Sequence, residues 1–116
     1  MIDRQSAINS AVTRAFSRLP LEEIKAHMIE KRWNWWAKQG WNRADALELC
    51  LSLARNGKGS SSGGFKVRIQ GNEVEVSFVG QGHFDRVIAT GLKRLVRGPT
   101  WVQREVIGTE SEEAQA

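Results

Sequence analysis

The 116-residue chain has one cysteine, two prolines and no tyrosine. A lone cysteine, Cys50, excludes an intrachain disulfide, so the fold must be held by its core. Neither a Cys-x-x-Cys nor a His-x-x-x-His spacing occurs, and His27 and His83 lie far apart in sequence. No metal and no cofactor are expected on that basis. No stretch of about eighteen apolar residues is present, which argues against a membrane-spanning helix. The first fifteen residues lack the continuous apolar segment of a secretory signal. A cytoplasmic protein with no membrane partner is the default expectation. His83 near Asp85 has no nucleophile or third group beside it in the sequence, so no catalytic triad is legible and a non-enzymatic role is expected.

What is present is positive charge and tryptophan. Seventeen Lys and Arg against thirteen Asp and Glu leave a formal +4. Three of the acidic residues, Glu110, Glu112 and Glu113, crowd the C-terminal tail, so the rest of the chain is more basic than the total. Such a balance favours an anionic partner, although it also serves solubility. Four of the five tryptophans, Trp33, Trp35, Trp36 and Trp41, fall within one short stretch.

The hydrophobic pattern predicts one small α+β domain over residues 1–108, followed by an acidic disordered tail over 109–116. Three N-terminal helices are expected in a helical half, 3–56. Apolar residues at helical spacing (Ile8, Val12, Ala15, Phe16, Leu19) define the first, with Asp3 at its start and Pro20 ending it. Leu21, Ile24 and Met28 begin the second, which the sequence carries to Gly40. Asn42 caps a third, Arg43 to Arg55. Residues 57–64, Gly-Lys-Gly-Ser-Ser-Ser-Gly-Gly, have the composition of a flexible loop. A ββα half, 65–98, follows.

Its hairpin is the clearest signal in the chain. Phe65, Val67 and Ile69 alternate with polar residues, as do Val74, Val76 and Phe78, and only Gly71 and Asn72 separate the two runs. A two-residue turn beginning with glycine, of type II′, sets the register: Gln70 opposite Glu73, Val67 opposite Val76, Phe65 opposite Phe78. The apolar set then shares one face, and Arg68 stands opposite Glu75 on the other. A C-terminal helix over His83 to Arg97 is expected next, packing on the hairpin with at least one N-terminal helix. Thr100 to Ile107 alternates poorly, because Trp101 and Ile107 share a side with Gln103 and Glu105. A short third strand at the sheet edge is the fitting assignment.

Two candidate surfaces emerge. On the expected C-terminal helix, Arg86, Lys93 and Arg97 fall on one solvated stripe with Arg94 at its edge. Arginine and lysine so arranged suit phosphate contacts. Lys58, Lys66 and Arg68 would extend the patch, while Glu73 and Glu75 oppose it. The pattern equally serves as an ordinary wet helix face. The second surface is the tryptophan-rich second helix, where Ile29, Arg32, Trp33, Trp35 and Trp36 are too many for one inward face. A homodimer or other protein partner would use them; closing the helical core is the plainer role. Gly57-Lys58-Gly59-Ser60 follows a helix and lacks P-loop spacing, so it reads as a connector. Cys50 reads as a small buried hydrophobe. The expected function is a basic accessory protein, of the kind common on mobile elements, that binds nucleic acid; the alternative is a protein-binding or inhibitory module.

Overall fold

A computed structural model describes residues 3–30, 40–55, 59–80 and 100–108. Helix α1 (Arg4–Ser17) is started by Asp3, whose carboxylate accepts from the Ser6 N–H at 2.8 Å. That satisfies one of the donors every helix leaves open at its first turn. Ala7, Ile8, Ala11, Val12, Ala15 and Phe16 recur every third or fourth residue and are all buried. Helix α2 (Leu21–Glu30) begins directly after Pro20 and carries Glu22 and Glu23 in its first turn, where the helix dipole favours acids. Helix α3 (Arg43–Ala54) has the expected cap: the Asn42 side-chain oxygen accepts from the Ala44 N–H at 2.8 Å.

The second half corrects the expected architecture. Among the described residues it is a four-stranded antiparallel sheet in the order β1-β2-β3-β4 that ends in a strand, rather than a hairpin followed by a C-terminal helix. The strands are β1 (Ser60–Ser62), β2 (Phe65–Gln70), β3 (Glu73–Val79) and β4 (Thr100–Val106). The helix expected over 83–97 lies outside the described residues, as does the continuation of the second helix over 31–39. So does the acidic tail.

Two physical reasons account for the added strands. Within the stretch expected as a loop, Ser60 to Ser62 pair with Val67 to Phe65. Gly63 and Gly64 make the reversal, at φ 59° and 91°. Those are the paired left-handed values a two-residue hairpin demands, and glycine reaches them without a Cβ penalty. Serine side chains then serve an edge that needs little apolar content. At the other side, β4 pairs with all of β3, from Val79 opposite Thr100 to Glu73 opposite Val106. A poor alternation is tolerated there because β4 is an edge.

The central register is the expected one. Phe65 faces Phe78, Val67 faces Val76, Ile69 faces Val74, and Arg68 faces Glu75. Phe65, Val67, Val74, Val76 and Phe78 are fully buried. Their cover among the described residues is helical: α1 lies on β3 and β4, α3 on β1 and β2, and the two helices meet above the sheet. One core joins all of them, with Leu21, Ile24 and Met28 of α2. Phe16, Phe65, Phe78, Trp101 and His27 form a continuous run of ring contacts at 4.9–5.9 Å between centroids. Cys50 is wholly buried as expected, and that burial pushes its thiol up from 9.0 to about 12.

Candidate functional site

The sheet has two unlike ends. At the hairpin-turn end α1 is tied down by its arginines. Arg4 donates to the Gly71 carbonyl at 2.6 Å. Arg14 donates to Glu105 at 3.1 Å and to the Val106 carbonyl at 3.2 Å, and Arg18 donates to the other Glu105 oxygen at 2.8 Å. The Ile107 N–H closes the end on the Asn72 carbonyl. These cations are consumed by partners within the domain.

The opposite end is where β3 stops at Val79 and β4 starts at Thr100, directly opposite one another. The sequence between them, 80–99, therefore joins two neighbouring positions of the sheet. That stretch contains Arg86, Lys93, Arg94 and Arg97. These four lie outside the described residues, as do Lys58 and, on the second surface, Arg32, Trp33, Trp35 and Trp36.

The expected site residues that are described are Lys66, Arg68 and Ile29. Lys66 and Arg68 are exposed on the face of the sheet away from α1 and α3. Lys66 stands opposite Ser77, near the end from which the basic stretch departs. Arg68 stands opposite Glu75, and Gly59 packs so closely on it that a Cβ there would meet the Arg68 Cα at 3.4 Å. Glu75 in turn holds Arg104 of β4 at 2.9 Å. The row Arg68, Glu75, Arg104 is thus a ladder of alternating charge, and the acids of β3 offset the basic residues of its neighbours. Ile29 is 65% exposed near the end of α2, the most exposed large apolar side chain among the described residues.

Charge is divided unevenly between these parts. The described residues carry nine Lys and Arg and nine Asp and Glu, and are formally neutral. The excess positive charge of the chain therefore resides in 31–39, 56–58 and 81–99, opposed by Asp85 and the three glutamates of the tail.

Some site features were not anticipated. The Glu105 cluster and Arg104 carried no motif. Their only trace was the inward place of Glu105 in the alternation beside Trp101 and Ile107, since an inward carboxylate demands a cationic partner. His27 is buried edge-on to the Trp101 ring, at 5.7 Å, and its Nε2 has no hydrogen-bond partner among the described residues. Its place at helical spacing from Ile24 does not reveal this. Among the described residues no group of three or more His, Cys, Asp and Glu side chains is arranged to hold a metal ion, and no helix is long and apolar enough to cross a membrane. Comparison with family models, curated proteins and solved structures finds no match.

Proposed function

We propose that this protein is a non-enzymatic accessory protein that binds nucleic acid through the basic residues of 81–99, Arg86, Lys93, Arg94 and Arg97, helped by Lys58, Lys66 and Arg68. One observation carries the proposal: the described frame is neutral, and the excess charge sits in segments attached to it. Cations already bonded within a domain are poorly placed to neutralise phosphate. Those of the hairpin-turn end are engaged with carboxylate and carbonyl groups. The basic stretch is instead anchored at both ends by the Val79–Thr100 pair, with Lys66 exposed near that end. An anchored basic stretch supplies the sequence-independent backbone contacts that dominate nucleic-acid affinity.

Fluorescence anisotropy with duplex and single-stranded oligonucleotides tests this directly. Binding is expected at about 50 mM salt and should weaken steeply by about 200 mM, because phosphate contacts release counterions. No binding to either oligonucleotide at the lower salt ends the proposal.

A second role rests on Ile29. An exposed isoleucine near the end of α2, immediately ahead of the tryptophan-rich stretch, favours a protein partner or a homodimer through Ile29, Arg32, Trp33, Trp35 and Trp36. Sedimentation equilibrium and a pull-down comparing the wild type with Trp35→Ala distinguish it. A monomer that captures nothing in either form removes this second role and leaves the first standing.

A further inference from the structure

We infer that β4 is a latched strand, held to the domain by the Arg14–Glu105–Arg18 cluster more than by apolar burial, and that it opens before the central strands β2 and β3. The contrast with its neighbour is direct. No side chain from Thr100 to Val106 is fully buried; the inward ones, Trp101, Gln103 and Glu105, remain partly exposed. Their partners across the ladder, Phe78, Val76 and Val74, are fully buried. Among the described residues β4 also lies at the edge, paired on one side only.

In place of burial it has one carboxylate. The Glu105 side chain is only 13% exposed, and each of its oxygens takes a different guanidinium, Arg14 at 3.1 Å and Arg18 at 2.8 Å. Arg14 also donates to the Val106 carbonyl, so the latch grips the backbone as well as the side chain. Charge-assisted bonds in a partly dry setting are roughly twice as strong as neutral ones. The pair on the outer side, Arg104 with Glu75, is more open to water on both sides than the Arg14–Glu105 pair and holds less. Removing the Glu105 charge leaves β4 with its edge ladder, the Trp101 ring contacts, the Arg104–Glu75 pair and the backbone bonds of Arg14 and Ile107, but without the carboxylate that two guanidiniums share. Elements with few buried apolar contacts open at lower free energy than the core. Thr100 is the return anchor of the basic stretch, so the latch sets how firmly that anchor is held.

Hydrogen exchange read by mass spectrometry on the full chain tests the inference. In the wild type, amides of 100–106 should exchange faster than those of 65–70. Glu105→Gln should accelerate exchange in 100–106 by about tenfold or more while 65–70 changes little. Arg104→Gln should accelerate it by less than about threefold. Adding Arg14→Gln to Glu105→Gln should contribute less than Arg14→Gln does alone, because the shared Glu105 contact is already lost while the bond to the Val106 carbonyl remains to be removed. If β2 and β4 exchange together in the wild type, or if Glu105→Gln leaves 100–106 unchanged, or if it accelerates every strand equally, the strand belongs to the cooperative core and the latch is refuted.

Discussion

On the proposed function, the two ends of the sheet use the same residue types for opposite purposes. At the hairpin-turn end, Arg4, Arg14 and Arg18 are bound to carbonyl and carboxylate groups of the sheet, and their charge is spent on holding α1 to β3 and β4. At the other end the chain leaves β3 and re-enters β4 at paired positions, with an excess of arginine and lysine in the intervening sequence. The lesson is that net charge alone is a poor guide to a binding surface. A chain of +4 has a formally neutral described frame, and on the proposed function it is position relative to partners that separates structural cations from those that meet an anion.

Substitutions at the two ends should therefore dissociate stability from binding, and the frame that joins them sets the upper limit of the effect. Val76→Asp places a charge at the fully buried centre of β3. It should cost more than about 4 kcal/mol and leave no cooperative melt, as followed by circular dichroism. A melting temperature near that of the wild type would contradict the core as described.

Cys50 gives a probe that is indifferent to either end. Its folded thiol is held up near 12, above its ordinary value of 9.0. A group whose folded value is raised adds stability that is intact below the unfolded value and is lost as pH rises above it. Denaturant titrations should thus show stability falling above about pH 9, by up to about 1.4 kcal/mol for each further unit. Cys50→Ala should remove this component of the decline. An unchanged slope in that variant would show that the thiol is not desolvated.

At the hairpin-turn end, Arg14→Ala deletes bonds to Glu105 and the Val106 carbonyl, and should destabilise by about 1.5–3 kcal/mol with no loss of nucleic-acid affinity at low salt. Equal losses of stability and affinity would erase the distinction between the ends. On the outer face the double change Lys66→Gln, Arg68→Gln should alter stability by about 1 kcal/mol or less, because both residues are exposed. It should weaken binding modestly.

Much of the frame was legible because it obeys local rules. The β2–β3 register follows from a two-residue glycine turn and strict alternation, and Asp3 and Asn42 cap helices as short polar residues before an apolar period should. The two outer strands were harder for physical reasons. Ser60 to Ser62 contain no apolar residue, so their pairing is driven by the backbone ladder and the Gly63–Gly64 turn, and composition alone makes them look like linker. β4 was legible as an edge strand but not as the terminal element of a four-stranded sheet, since its inward Glu105 depends on two arginines about ninety residues earlier. Of the candidate site, exposure of Lys66, Arg68 and Ile29 could be read from strand alternation and from an excess of apolar residues. The charge ladder through Arg104 required the β3–β4 register.

The most direct measurement is the salt dependence of oligonucleotide binding for three proteins: the wild type, Lys93→Gln with Arg97→Gln, and Arg14→Ala. Each phosphate contact contributes about 0.9 to the slope of log K against log salt on duplex DNA. The account predicts that the Lys93/Arg97 pair lowers the slope by about 1.8 with an unchanged melting temperature, while Arg14→Ala keeps the wild-type slope and melts lower. A slope unaffected by Lys93 and Arg97, or one that falls with Arg14, would contradict it.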